Sequence, residues 1–156
     1  PITSFMMALT TFVSQNRGAK EYERARKGAH FGLVCSVSLA ETIGLLIALF
    51  VTPLMRLFVD DPQVIQYGVE RAHYATILFF MLAYSHGVSA VLRGVGKSVV
   101  PMVVMLVCWC LVRVTLLTML NMLFHNILFV YLIYPFTWSL SSIVFFLYYR
   151  KINWQE

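Results

Sequence analysis

Residues 127–149 read ILFVYLIYPFTWSLSSIVFFLYY, without one charged side chain. A helix needs about 20 apolar residues to cross roughly 30 Å of hydrocarbon, and this run is long enough. Working back along the chain, residues 98–120 form a second such window with a single charge, Arg113. Residues 72–92 form a third with none, and residues 31–55 a fourth in which Glu41 stands alone. Lipid offers the backbone no water to bond, so each window is predicted to be helical. The opening PITSFMMALTTFV is equally apolar, but its 13 residues make only about 20 Å of helix. It lacks the basic start and small-residue cleavage site of a signal peptide, and reads as a span cut in the middle. The expectation is an all-α membrane protein with four complete transmembrane helices plus the end of a fifth, and no soluble domain.

Composition agrees. Of 156 residues 60% are hydrophobic and 12% charged, and mean hydropathy is +0.76. Soluble domains carry roughly a quarter of their residues as charges, and disordered chains are polar and poor in aromatics. The net charge of +5 is no nucleic-acid signature, because the basic residues sit in short clusters between apolar runs. Cys35, Cys108 and Cys110 all fall inside those runs and read as small buried hydrophobes. Cys108 and Cys110, two apart on a helix, point to nearly opposite faces and cannot share a metal.

The connectors orient the spans. Arg17, Lys20, Arg24, Arg26 and Lys27 precede the first full span, Arg93 and Lys97 join the second to the third, and Arg150 and Lys151 follow the last. Alternate connectors face one side, so nine of the 12 basic residues lie together, against Arg56 and Arg71 opposite. The positive side is expected in the cytoplasm, with the C-terminus. Glu23 with Lys27, and Glu21 with Arg24, are spaced to support a short surface helix under the bilayer.

Few residues within the windows carry chemistry. Glu41 lies about 15 Å deep, where an ionised carboxylate costs several kcal/mol unless it is protonated, paired or wetted. It reads either as an ion, proton or substrate group, or as a protonated acid bonded to a neighbouring helix. Arg113 lies towards the outer side, where it snorkels to the interface or stacks on Trp109 four residues earlier. His30 and His125 sit at window edges. His73 and His86 have no second His or acid at i+4, so a metal pair is not expected, although His86 is placed to line a cavity. Tyr74, Tyr84 and Met81 share a broad face with Ser85, a plausible wet face. Pro53 ends one window, Pro101 fits a first helical turn, and Pro135 lies in mid-span where it kinks a helix. No paired carboxylates, HExxH or Ser/Lys arrangement suggests an enzyme.

Four stretches keep one order along the chain: TTFVSQNRGAKEYERARKG at 10–28, PLMRLFVDDPQVIQYGVE at 53–70, AVLRGVGKSVVPM at 90–102, and CWCLVR at 108–113. Together they resemble the multidrug and toxic compound extrusion (MATE) transporters. That resemblance implies a twelve-helix, two-lobe transporter with cytoplasmic termini. Residues 1–156 would then be the C-terminal part of the second six-helix lobe, from the end of helix eight through helices nine to twelve. It implies antiport in the plasma membrane, Na⁺ or H⁺ entering as amphipathic, often cationic, organic compounds leave. The partners it implies are the lipid bilayer and the N-terminal lobe of the same polypeptide, with no nucleic acid and no cofactor beyond the coupling ion. Gly18 is expected to let the chain leave a helix sharply, Gly94 and Gly96 to make a tight turn, and Arg93 to meet headgroups. The helix-ten equivalent, 72–92, has no acid, so an ion site of the helix-ten type is not expected, and Glu41 maps onto no family ion ligand. Two other readings stay open: a lipid-linked sugar flippase of the same superfamily, favoured by a cavity rich in Arg and Lys, and a small four-helix structural subunit. The sequence upstream of Pro1 separates the last from the rest.

The charge asymmetry yields a direct test. With Cys35, Cys108 and Cys110 replaced, Lys20→Cys in intact cells is expected to resist a membrane-impermeant maleimide from outside and to react once the membrane is opened. Labelling from outside would reverse the orientation.

Overall fold

The computed structural model describes residues 2–124 and 127–154, so His125 lies outside the described residues. Among those residues are α1 (Ile2–Gly18), α2 (Tyr22–Arg56), α3 (Pro62–Thr76), α4 (Phe79–Gly94), α5 (Val99–Met105), α6 (Arg113–Phe124) and α7 (Ile127–Arg150), with a π-helical segment at Leu106–Val112 between α5 and α6. Three helices are long and apolar enough to cross a membrane, and the bent pair α3–α4, counted as one span, brings the number to four. The outward surface suits lipid, with Phe31 71%, Leu49 75% and Met122 73% exposed.

Small residues recur along α2 at three- and four-residue steps, Ala25, Ala29, Gly32, Ser36, Ala40 and Gly44, all buried. Such a stripe lets helix backbones approach closely, which drives association in lipid. α1 and α4 both pack on α2 and on each other. Leu9 of α1 fills the space over Gly32, and Leu33 of α2 fills that over Gly87 of α4. Gly94 closes the third contact: a Cβ there would lie 2.9 Å from the Thr10 carbonyl oxygen of α1 and 2.8 Å from Val13 Cβ. The Thr10 hydroxyl bonds the Ala90 carbonyl across the same contact at 3.1 Å. α7 covers the other side of α4 and touches α3, α5, the π segment and α6.

Two helices end in the same way. At α1, Glu21 N–H donates to the Asn16 carbonyl and Lys20 N–H to that of Arg17. At α4, Lys97 N–H donates to Leu92 and Gly96 N–H to Arg93. Both are Schellman ends, which need a left-handed residue at the same place. Gly96 takes it with φ 80°, but in α1 it is Lys20, with φ 62°. Gly18, expected to make the exit, is the last helical residue instead, and Gly94 is part of α4 rather than of the turn. The Arg17 guanidinium donates to the Val95 carbonyl, joining the two ends. Tyr22, Glu23 and Arg26 line a cavity with Ile152 and Trp154. The three basic connectors therefore gather at one end of the bundle.

Several expectations need correction. The surface helix around Glu23 is the beginning of α2, which runs unbroken because nothing between Tyr22 and Pro53 interrupts it. Glu23 and Lys27 do pair, at 2.8 Å, the single ion pair among the described residues. Pro53 lies inside α2, which continues to Arg56. The window at 72–92 is not one straight helix. It breaks after Thr76, whose hydroxyl bonds back to the Ala72 carbonyl at 2.8 Å, and α3 and α4 meet at 56°. Back-bonding of this kind bends helices. Gly44 of α2 packs beneath the bend, against Thr76 and Phe79. Cys108 is buried as expected, but Cys110 is exposed, on the opposite face of the π segment.

These contacts set two stability expectations, read as thermal midpoints of the protein purified in detergent. Gly94→Ala drives a methyl into a backbone oxygen and should cost about 1–3 kcal/mol. Lys20→Gly removes a left-handed side chain and should gain about 1 kcal/mol.

Candidate functional site

The window at 127–149 has no charge, yet it carries Thr137, Ser141 and Ser142, all buried. Four-residue spacing puts Thr137 and Ser141 on one face of α7, and that face meets α4 and the π segment. Ser85 of α4, fully buried, lies 2.9 Å from the Ser141 hydroxyl and 2.8 Å from that of Ser142. Ser141 also reaches the Trp138 carbonyl at 2.9 Å, and Ser142 the Met81 carbonyl at 2.8 Å. Three hydroxyl protons thus serve four contacts, so the cluster has more than one proton arrangement of similar geometry. Trp109 of the π segment adds its own proton, Nε1 donating to Ser141 at 3.2 Å.

Trp109 carries the seam in both directions. His86 meets its ring edge-on, with centroids 5.1 Å apart. On the other side, the Arg113 guanidinium carbon sits 5.4 Å from the Trp109 ring and 4.6 Å from that of Tyr134. Arg113 Nε and Nη2 both donate to the Thr137 hydroxyl, at 3.1 and 2.7 Å. The stacking expected from the i,i+4 spacing with Trp109 is present. Arg113 is fixed by α7 as well as by its own helix.

His86 and Arg93 open from α4 onto a cavity of about 560 Å³ between α1, α4 and α5. Its other walls are Thr3, Met6, Met7, Thr10, Thr11 and Met105. Tyr84 lines a separate apolar cavity of about 310 Å³ with Val37, Phe80, Met81 and Ser142. The broad face expected for Tyr74, Met81, Tyr84 and Ser85 is divided by the helix break. Tyr74 stays on α3 and stacks on Tyr131 at 6.1 Å.

Glu41 takes no part in the seam. It is partly buried, and its Oε2 is enclosed with no hydrogen-bond partner among the described residues. It shares a face of α2 with Val37, which lines the Tyr84 cavity, and Gly44, which lies under the α3–α4 bend. Of the sequence candidates, then, Ser85, His86, Trp109 and Arg113 come together. Tyr84 and Glu41 face a neighbouring region. Gly18, Gly94 and Gly96 are architectural. Sequence reasoning passed over Thr137, Ser141, Ser142 and Tyr134 because none is charged. Their signal was a run of hydroxyls at helical spacing beside a tyrosine in an otherwise apolar window.

Ser85→Ala should cost about 1 kcal/mol, because Ser141 and Ser142 keep their carbonyl partners. Ser85→Val, which adds bulk at a fully buried position, should cost about 1–3 kcal/mol. Unfolding in detergent, with both variants compared, checks the difference.

A family model described as MatE matches residues 1–119. The chain is 30% identical over 104 residues to "Probable multidrug resistance protein NorM" of Thermotoga maritima, a match covering 67% of this chain and 22% of that relative. The chain thus spans about a fifth of the length of the curated relative it matches.

Proposed function

Because the chain belongs to the MatE family, whose members are multi-pass membrane transporters, we propose that it forms part of a multidrug efflux antiporter. The observation that carries this reading is the cavity of about 560 Å³ beside His86. Its volume falls within the range of roughly 300–1,000 Å³ that suits drug-sized ligands. Met6, Met7 and Met105 give it soft, adaptable walls, which suit varied amphipathic compounds better than one rigid shape. Threonine hydroxyls and the His86 imidazole supply a few polar contacts for orientation.

Export of this kind exchanges organic compounds, often cationic, for Na⁺ or H⁺. Glu41 is the acid that takes the coupling ion. Its enclosed, unpartnered oxygen needs either a proton or a cation to be tolerable at membrane depth. Ion binding there also acts on the α3–α4 bend, which rests against the same face of α2. The bundle end that gathers Arg17, Lys20, Arg93 and Arg150 faces the cytoplasm, and the C-terminus with it. Alternating access needs two lobes rocking about a central cavity, so these spans act together with the N-terminal lobe of the same polypeptide.

The test is dye export from proteoliposomes holding the intact polypeptide that contains this sequence. A fluorescent organic cation should move against an imposed Na⁺ or H⁺ gradient. Glu41→Gln should abolish gradient-driven movement while leaving dye binding intact. His86→Ala should raise KM roughly fivefold, the equivalent of ~1 kcal/mol. No movement under either gradient would remove the efflux reading, and full coupling in Glu41→Gln would remove the role of that acid.

A further inference from the structure

Two guanidinium groups converge on one tyrosine. The Arg71 guanidinium carbon, from α3, is 5.1 Å from the Tyr134 ring centroid, and that of Arg113, from α6, is 4.6 Å away. Each gains a cation–π contact with the same ring. No carboxylate answers them. Among the described residues the single ion pair is Glu23–Lys27, at the other end of the bundle. Glu70, beside Arg71 in sequence, accepts instead from Gln66 Nε2 at 3.0 Å. Arg113 spends Nε and Nη2 on the Thr137 hydroxyl, and its Nη1 has no hydrogen bond among the described residues. Arg71 has none either.

Charged side chains at membrane depth pair with something, because an unpaired charge there is costly. We propose that Arg71, Arg113 and Tyr134 form a binding site for a phosphate group, at the end of the bundle opposite the basic connectors. The planar guanidinium fork matches phosphate oxygens, and Arg stays charged at any pH the protein meets. A phosphate between the two cations uses the free donors of both. Thr137 and Trp109 hold Arg113 in place for it, while Arg71, on the exposed side, closes over the bound group. The same chemistry comes from two sources, the headgroup of an anionic phospholipid or a soluble phosphate.

The intact protein containing this chain, purified in non-ionic detergent, separates the sources by thermal midpoint, since a ligand bound only to the folded state raises it. One arm compares phosphatidylglycerol with zwitterionic phosphatidylcholine. The other compares inorganic phosphate with chloride at matched ionic strength. A rise with phosphatidylglycerol identifies the headgroup, and a rise with inorganic phosphate identifies soluble phosphate. In either arm Arg71→Gln should abolish the rise and Arg71→Lys should retain part of it. Arg71 is exposed and its contact is the Tyr134 ring, so Arg71→Lys, which keeps the cation, controls for loss of that contact, and Arg113→Gln then tests the second cation. No rise in either arm, or an equal rise in the protein and in Arg71→Gln, would overturn the site.

Discussion

Between helices immersed in hydrocarbon the hydrophobic effect supplies no attraction, since lipid tails are as apolar as leucine. Everything that positions this bundle follows from that constraint. Helices that cannot gain by hiding apolar surface must gain by close backbone approach and by polar contacts. The α2 stripe from Ala25 to Gly44 provides the first, and Gly87 and Gly94 extend it to α4. The Ser85–Ser141–Ser142 cluster provides the second. An apolar valine in place of any of these small residues would add surface that lipid already satisfies, and would hold the backbones apart.

The same constraint explains why polar side chains here are few and networked. A hydroxyl left alone in lipid loses its hydrogen bond outright, so serines bond to carbonyls one turn back on their own helix. Ser141 does so with Trp138, whereas Ser142 bonds across helices to the Met81 carbonyl. What remains of their bonding capacity is free to join elements, and Ser85 takes it up. Arg113 solves a harder problem in the same way, with Thr137 for its protons and Trp109 and Tyr134 for its charge. Glu41 and Ser89 are the exceptions. Each encloses an oxygen with no partner among the described residues.

Much of the fold was legible because the membrane imposes coarse rules. Four apolar windows became four spans, and alternating charge placed three connectors at one end. Chain breaks were less legible. Nothing in ATILFF announces a helix break, because Thr76 and Ile77 are ordinary in a membrane helix. The break packs against Gly44, thirty-odd residues earlier, a long-range contact that the local sequence does not show. Likewise Lys20 was not an obvious left-handed residue with Gly18 two positions before it; the hydrogen-bond register of the α1 end decides which residue takes that conformation. For the site, sequence located residues that are costly in lipid one at a time. It could not pair them, since Arg71 and Arg113 lie far apart in the chain and meet only through Tyr134. Uncharged hydroxyls were missed because their cost is small singly and appears only when they cluster.

Packing is also uneven along the membrane normal, and this bears on how the bundle can move. Near the basic connectors α1, α2 and α4 interlock through glycines, two Schellman ends and the Arg17–Val95 bond. α4 buries nine residues. α3 buries only Thr76, and no described residue of α6 is buried. α3 packs chiefly on α2, and it and α6 meet α7 through rings, guanidiniums and a few hydrogen bonds, as in Tyr74–Tyr131, Arg71–Tyr134 and Arg113–Thr137. Ring contacts of this kind slide more readily than the close backbone approach at Gly94, where a Cβ would already meet the Thr10 carbonyl oxygen. Local stability follows buried contact, so the half carrying α3 and α6 is the compliant one. The bend after Thr76 sits where the interlocked half gives way to the compliant half. A helix broken there can change its angle without disturbing the α1–α2–α4 contacts, and Glu41 lies on the face of α2 against which that angle is set.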